Sequence, residues 1–110
     1  MPELKKYKMF VDGEWVDSES KKTFETLNPE NNEPWAVAPE ASAKDVDKAV
    51  KAAHKAFEGE WPKLLPRDRA KFLRAIADQL RKNAEMLGEI ETIDTGKLFR
   101  ETKQQAIYIA

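Results

Sequence analysis

The pattern of apolar residues changes at Ser42, and this change restricts the chain to a structure with a β part followed by an α part. Before Ser42, short β-prone runs alternate with turn residues, and after it apolar residues recur at helical spacing. The length of 110 residues is that of one ordinary domain. From this change of pattern, the sequence predicts one domain with a flexible N-terminus over residues 1–6, a β-hairpin segment over 7–40 and a mostly helical segment over 41–110.

Two consecutive hairpins are predicted in the β segment. Asp12-Gly13 separates two β-prone runs, which is typical of a type I′ turn because both central positions need positive φ. A second run, Thr23 to Leu27, leads through turn-rich residues 28–34 into extended residues 35–38. Two hairpins alone are marginally stable in water, so we expect them to lie against other elements. Three tryptophans near the turns are predicted to anchor the hairpins to the helices: Trp15, Trp35 and Trp61.

The helical segment contains at least three helices. Ser42 and Asp45 have the spacing of a capping box, with Asp in the position that Glu or Gln usually holds. One apolar stripe follows and ends at Gly59. A second helical pattern begins at Pro66 and continues to Gly96, with weak points that predict two helices in series. The residues of the stripe are Val46, Ala49, Val50, Ala53 and Phe57; the weak points are Asn83 and Gly88.

Composition excludes several classes of function. Lys plus Arg number 19 and Asp plus Glu number 20, so no general positive field for nucleic acid or an anionic membrane is expected. The chain has no cysteine, which removes disulfides, thiolate metal sites and thiol nucleophiles. No apolar run has the length of a signal peptide or a membrane span. A cytoplasmic location is the expectation.

The parts needed for catalysis are also missing from the sequence. Its glycines are too dispersed for a dinucleotide-binding or phosphate-binding loop. His54 is the one histidine; it has helical spacing to Glu58, but a base without a nucleophile makes no triad. No catalytic or cofactor-binding residue is therefore assigned. We expect the chain to be the front part of a larger α/β protein rather than a self-sufficient enzyme.

The order of short motifs resembles the N-terminal part of the NAD(P)-dependent aldehyde dehydrogenase superfamily, from about Tyr7 onward. No single motif is diagnostic, and the resemblance depends on their order and spacing. The motifs are Val11-Asp12-Gly13-Glu14-Trp15, Thr26-Leu27-Asn28-Pro29, Ala38-Pro39-Glu40-Ala41-Ser42, Asp45-Val46-Asp47-Lys48-Ala49-Val50, Ala52-Ala53-His54-Lys55-Ala56-Phe57, Trp61, Pro66-Arg67-Asp68-Arg69-Ala70, Ile76-Ala77-Asp78-Gln79-Leu80 and Glu91-Thr92-Ile93-Asp94-Thr95-Gly96-Lys97.

The resemblance implies a longer parent enzyme that oxidises an aldehyde to a carboxylic acid with NAD or NADP as hydride acceptor. Members of that family use a cysteine nucleophile and a glutamate that activates water, both further along the sequence than this chain reaches. The resemblance also implies that this segment is the outer layer of a Rossmann-like cofactor domain. Its partners would be the remainder of the parent polypeptide, the aldehyde and further subunits of a homo-oligomer, without nucleic acid or membrane.

One metal site is implied by the same resemblance. Some family members bind a monovalent cation near the Thr-x-Asn-Pro strand and the Asp of the Asp-Thr-Gly motif, which correspond to Thr26, Leu27 and Asp94. A second interpretation of Asp94 stays open, because an Asp at a helix end commonly bonds to local backbone N–H groups.

A different class of function also stays open at this stage. The chain closes on the apolar residues Ile107-Tyr108-Ile109, which we expect to need a partner. A small helical interaction module that docks through this face is the alternative hypothesis.

Overall fold

The computed structural model describes residues 3–110, which form two compact units. The first unit comprises the chain up to Leu27 together with Pro34–Lys63. The second comprises Asn28–Glu33 together with Leu64–Ala110. The tip of the second hairpin therefore belongs to the unit that contains the later helices.

The strands are β1 (Lys5–Lys6), β2 (Met9–Val11), β3 (Glu14–Val16), β4 (Thr23–Asn28) and β5 (Glu33–Pro39), and they confirm both predicted hairpins. Strands β2 and β3 pair antiparallel, with Met9 opposite Val16, and the turn between them has positive φ at Asp12 (52°) and Gly13 (81°). This is the type I′ geometry that Asp-Gly favours. The other strands form a three-stranded sheet in the order β1-β5-β4, in which β1 runs parallel to β5.

The N-terminal residues differ from the expected flexible segment over 1–6. Lys5 and Lys6 are paired with Ala36 and Val37 of β5, and the Tyr7 N–H donates to the Val37 carbonyl at 2.9 Å. Met1 and Pro2 lie outside the described residues. A two-residue parallel strand has no periodicity from which it could be predicted, so only the fold reveals it.

Helix α1 (Ala43–Glu58) begins at the predicted capping box. The Ser42 hydroxyl accepts a hydrogen bond from the Asp45 N–H at 3.2 Å, and the Asp45 carboxylate accepts one from the Ser42 N–H at 2.8 Å. These bonds satisfy donors that the first turn of a helix leaves free. The helix ends at Gly59, as predicted, and a short 3-10 helix follows at Trp61–Lys63.

The second unit contains α2 (Pro66–Lys82), α3 (Ala84–Thr95) and α4 (Phe99–Tyr108). The predicted pair of helices in series is confirmed, and the break lies at Asn83, whose side-chain amide donates to the Gln79 carbonyl at 2.8 Å. Gly96 ends α3 with φ 74°, in the left-handed conformation expected of a glycine at a helix end.

Gly88 has a different role from the helix weakness that the sequence predicts. It is buried inside α3, and a Cβ there would lie 2.9 Å from the Lys103 backbone nitrogen of α4. Thr102 of α4, 1% exposed, places its hydroxyl oxygen 2.9 Å from the Gly88 carbonyl oxygen and 3.0 Å from the Thr92 hydroxyl. Helices α3 and α4 therefore cross closely where Gly88 meets the buried hydroxyl of Thr102.

Little apolar surface is buried in the described part of the chain. Its fully buried apolar residues are Ala36 and Ala84, whereas large side chains such as Leu73 (66% exposed) face solvent. Trp15 is 67% exposed and packs on Phe10, its partner on the opposite strand, with ring centroids 5.0 Å apart. It therefore stabilises the hairpin itself rather than fixing the hairpin to a helix as predicted. No helix within residues 3–110 is long and apolar enough to cross a membrane.

Candidate functional site

The predicted cation-site residues are distributed over two elements. Thr26 and Leu27 are consecutive in β4, with Thr26 half-buried and Leu27 44% exposed. Asp94 lies in the last turn of α3, beside a hollow of about 600 Å³ that Ile90 and Ala106 also line. The first two belong to the first unit and Asp94 belongs to the second, so the grouping of the three stays a prediction.

The second unit brings together the residues that directly follow these positions in the chain. Asn28 and Pro29 line a groove of about 580 Å³ together with Thr95 and Gly96. A Cβ at Gly96 would lie 3.0 Å from Pro29 Cγ, so the hairpin tip lies directly against the end of α3. Gly96 thus has two roles. It ends α3 in the left-handed conformation, and its lack of a side chain allows Pro29 to approach closely.

The hairpin tip is shaped by asparagine side chains. The Glu30 N–H donates to Asn28 Oδ1 at 3.0 Å, and the Asn32 N–H donates to the Asn28 carbonyl at 2.7 Å. Asn31 Oδ1 accepts a hydrogen bond from the Glu33 N–H at 3.0 Å. Such local side-chain bonds hold Asx turns in place. The sequence predicted this turn, but no local pattern in it indicated that the tip would contact α3.

No catalytic pair is assembled from the described residues. His54 Nε2 lies 3.1 Å from Glu58 Oε1, but their side chains are 68% and 67% exposed, so the pair is part of a solvated helix face. Residues 3–110 contain no group of three His, Cys, Asp or Glu side chains placed to hold a metal ion. In the described part of the chain, one glycine lies in a turn, two lie at helix ends and one lies at a close helix contact.

Asp45 is a buried carboxylate, 7% exposed, with a lowered pKa. The hydrogen bond from the Ser42 backbone N–H lowers the pKa of Asp45, opposed by the cost of removing it from water and helped by the Ser42 hydroxyl and the Glu19 N–H. Perturbed carboxylates often mark active sites, but every contact of this one completes a helix start or a loop. Asp45 is therefore a structural residue.

Comparison with known proteins decides the family. A family model described as the aldehyde dehydrogenase family matches residues 15–110. The chain belongs to the aldehyde dehydrogenase family. An aldehyde dehydrogenase of Aspergillus niger is 48% identical over 89 residues, which cover 81% of this chain and 18% of the relative. The aldehyde dehydrogenase family 2 member C4 of Arabidopsis thaliana is 43% identical over 101 residues, 91% of this chain and 20% of the relative.

Solved structures of the family contain the same fold. An NAD-dependent aldehyde dehydrogenase from Sinorhizobium meliloti superposes with a TM-score of 0.91 at 36% identity over 96% of this chain and 21% of that one. Betaine aldehyde dehydrogenase from Staphylococcus aureus in complex with NAD+ superposes with a TM-score of 0.86 at 39% identity, covering 90% of this chain and 20% of that one. The chain thus spans about a fifth of these aldehyde dehydrogenases.

The predicted fold class is confirmed by these findings. Two hairpins followed by four helices are the N-terminal part of an aldehyde dehydrogenase domain, which is an α/β fold in the longer family members. The division at residues 40 and 41 into a β segment and a helical segment of one domain stays a prediction.

Proposed function

We propose that this chain is the N-terminal segment of an oxidoreductase that oxidises an aldehyde to a carboxylic acid with NAD or NADP, and that residues 1–110 alone are inactive. The observation that carries this proposal is the TM-score of 0.91 over 96% of the chain with an enzyme about five times longer. The names of the structural relatives favour NAD over NADP.

The role of the segment within such an enzyme is structural. It supplies no cysteine nucleophile, no general base paired with a substrate and no cofactor loop, so none of its side chains is assigned to the reaction. Its partners in this proposal are the remainder of the parent polypeptide, the aldehyde and other subunits of a homo-oligomer, in the cytoplasm. The support is the small share of each relative that the chain covers.

Turnover measurements test the proposal. The full-length protein that contains this chain is expected to reduce NAD+ or NADP+ when an aldehyde is added, because the chemistry belongs to the part that the chain does not supply. Purified residues 1–110 are the matched control and are expected to show no turnover. Aldehyde oxidation by residues 1–110 alone would contradict the assignment, and so would a folded full-length protein that oxidises no aldehyde.

A monovalent cation site at Thr26, Leu27 and Asp94 is the second part of the proposal. Its support is that the turns that follow these residues, at Asn28-Pro29 and Thr95-Gly96, line one groove. If the site exists, K+ or Na+ raises the melting temperature of the full-length protein and Asp94→Ala reduces this rise. An exposed carboxylate elsewhere, Asp78→Ala, is the control. An equal cation response in Asp94→Ala and the unsubstituted protein would exclude Asp94 from the site.

The alternative function, a small interaction module, has one observation in its favour. Tyr108 and Ile109 are 83% and 82% exposed, as a docking face requires. The intact mass of the native protein separates the two hypotheses. A mass near 12.6 kDa would favour the module, and a mass several times larger would favour the enzyme segment.

A further inference from the structure

Two lysine pairs that are distant in the sequence line one hollow of the first unit. One pair lies in and just after β1, and the other lies in the loop before β4. The hollow has a volume of about 510 Å³, a size typical of small-ligand sites, and its charged lining residues are Lys6, Lys8, Lys21, Lys22 and Asp17. Four ammonium groups against one carboxylate leave three positive charges there, whereas the whole chain has a net charge of -1. The fold therefore concentrates positive charge that the composition does not reveal.

The single carboxylate does not neutralise these lysines. Asp17 lies 3.9 Å from the Lys8 ammonium and 3.7 Å from the Lys21 ammonium, and its side chain is 49% exposed. Ion pairs this long and this exposed to water contribute little. Lys6 and Lys22 form no ion pair with any residue from 3 to 110. The lysines of the hollow are therefore available to an anion from solution.

An unpartnered hydroxyl lies beside this charge. Tyr7 lines the same hollow, and its hydroxyl oxygen is buried without a hydrogen-bond partner among residues 3–110. A buried hydroxyl without a partner destabilises a fold, so such groups usually have one. The phenolic O–H can donate to an anionic oxygen. Val37 and Pro39 add apolar walls to the hollow, and walls of low dielectric strengthen the attraction between the lysines and an anion.

The loop that carries the second lysine pair is held by its own hydrogen bonds. The Lys21 N–H donates to the Ser18 carbonyl at 3.0 Å. The Ser18 hydroxyl, on a residue that is 1% exposed, donates to the Lys22 carbonyl at 3.0 Å. These bonds fix Lys21 with φ 58°, a left-handed conformation that is unfavourable for a long side chain and persists only where the surroundings impose it. The backbone below both lysines is thus in place before any ligand arrives.

We propose that this hollow binds a small phosphate-bearing anion with at least two negative charges. The ammonium groups of Lys8 and Lys21 exchange their long contacts with Asp17 for contacts with the phosphate oxygens, and the Tyr7 hydroxyl donates to one of these oxygens. Lysine binds phosphate as a point charge, which suits side chains that are 54% and 76% exposed. An anion with one charge would leave most of the local positive charge unpaired. The inference is independent of the proposed function, because it needs neither an aldehyde nor a cofactor.

Titration of pyrophosphate into the full-length protein that contains this chain tests the proposal by calorimetry. Saturating NAD+ is present throughout, so that a nicotinamide cofactor site is already occupied. Lys8→Gln with Lys21→Gln is expected to weaken pyrophosphate binding by at least about tenfold, because a lost hydrogen bond to a charged group has at least that effect. Lys44→Gln with Lys51→Gln is the matched control. It removes two charges from exposed lysines that also pair with carboxylates, and is expected to change the dissociation constant by less than about twofold.

A second variant tests the tyrosine hydroxyl separately. Tyr7→Phe is expected to weaken pyrophosphate binding by a factor of about two to ten, the effect of losing one hydrogen bond. The melting temperature without pyrophosphate is expected to stay unchanged or to rise, because the hydroxyl has no partner among residues 3–110. A lower melting temperature together with unchanged binding would show that another part of the polypeptide already bonds this hydroxyl, and would remove Tyr7 from the site.

Three results would overturn the anion site. The first is a folded, NAD+-saturated protein that binds no pyrophosphate. The second is an equal dissociation constant in the unsubstituted protein and in the double variant of Lys8 and Lys21. The third is equal weakening in the two double variants, which would identify the charge of the whole protein as the cause instead of this hollow. If the double variant does not fold, Lys21→Gln alone replaces it, with Lys51→Gln as its control and the same comparison.

Discussion

The carboxylate of Asp45 accepts hydrogen bonds from the backbone N–H of Glu19, 26 residues earlier in the chain, at 3.1 and 3.2 Å. The same carboxylate closes the capping box with Ser42. One side chain therefore holds the start of α1 and fixes the loop before β4 to it. The Lys44 ammonium adds an ion pair to the Glu19 carboxylate at 3.1 Å, but both groups are too exposed for this pair to contribute much.

Removing the cap is expected to destabilise the chain. Ser42→Ala deletes the hydroxyl that accepts from the Asp45 N–H, and such substitutions cost about 0.5–2 kcal/mol. Urea unfolding followed by circular dichroism measures the loss. Ser20→Ala is the control, because its hydroxyl accepts only a longer bond of 3.3 Å from the exposed Lys22 N–H and lies 3.5 Å from the Ser18 hydroxyl. Equal stability of Ser42→Ala and the unsubstituted chain would show that the capping box contributes nothing.

Stability is expected to fall in acid because of Asp45. The Ser42 backbone N–H lowers the pKa of this carboxyl in the folded chain, so the folded state binds its proton less readily than the unfolded state. The resulting stabilisation is fully present above the unfolded pKa of about 3.9 and is lost as the pH falls through the lower folded pKa.

Urea unfolding at pH values from 6 down to 3 measures this dependence. Asp45→Asn is expected to flatten it and to lower stability at pH 6, whereas Asp47→Asn, at an exposed position of the same helix, is expected to keep the slope. An unchanged slope in Asp45→Asn would assign the acid sensitivity to other carboxylates.

Gly88→Ala is expected to separate α3 from α4. The new methyl group would lie 2.9 Å from the Lys103 nitrogen and 3.0 Å from its Cα, and backbone atoms cannot move aside as a flexible side chain does. Overpacking of this kind costs about 1–3 kcal/mol, more than the helix propensity that alanine adds. Glu89→Ala, one position further along α3, is the control in thermal unfolding. A more stable Gly88→Ala would show that the two helices are not in close contact.

Thr102→Val is expected to destabilise the same crossing without changing side-chain volume. The Thr102 hydroxyl has one proton for two carbonyl oxygens, of Gly88 at 2.9 Å and Phe99 at 3.0 Å, and can accept from Thr92. Its loss leaves buried groups without a partner, at a cost of about 1–3 kcal/mol. Thr95→Val, on an exposed residue, is the control for the measurement by urea unfolding. Equal losses in the two variants would argue against a special role for the buried hydroxyl.

Local signals predicted the elements of this fold well. Asp12-Gly13 predicted its turn, Ser42 with Asp45 predicted the start of α1, and Gly96 predicted the end of α3. Each of these depends on the conformation of a few neighbouring residues, which the sequence determines directly. The apolar stripes likewise predicted the helices, although not whether other elements of this chain bury their apolar sides.

The contacts between distant residues had no such signal. Gly88 looked like a weak point of a helix and is a packing position, and Asp45 looked like a cap and also fixes Glu19. The candidate cation site shows the same limit, because its motif positions were recognised by resemblance and their grouping stays a prediction. Contacts of this kind depend on where the chain returns in space, which local propensity does not encode.

The sequence by itself predicted the family resemblance and the order of the elements, because these depend on residue type and local spacing. Only the tertiary structure decided that α3 and α4 cross at Gly88 and Thr102, that the tip at Asn28-Pro29 lies against Gly96, and that Val50 and Phe57 of α1 stay exposed. The physical reason is that burial and close approach are properties of pairs of segments, and a pattern along one segment specifies only which side seeks a partner.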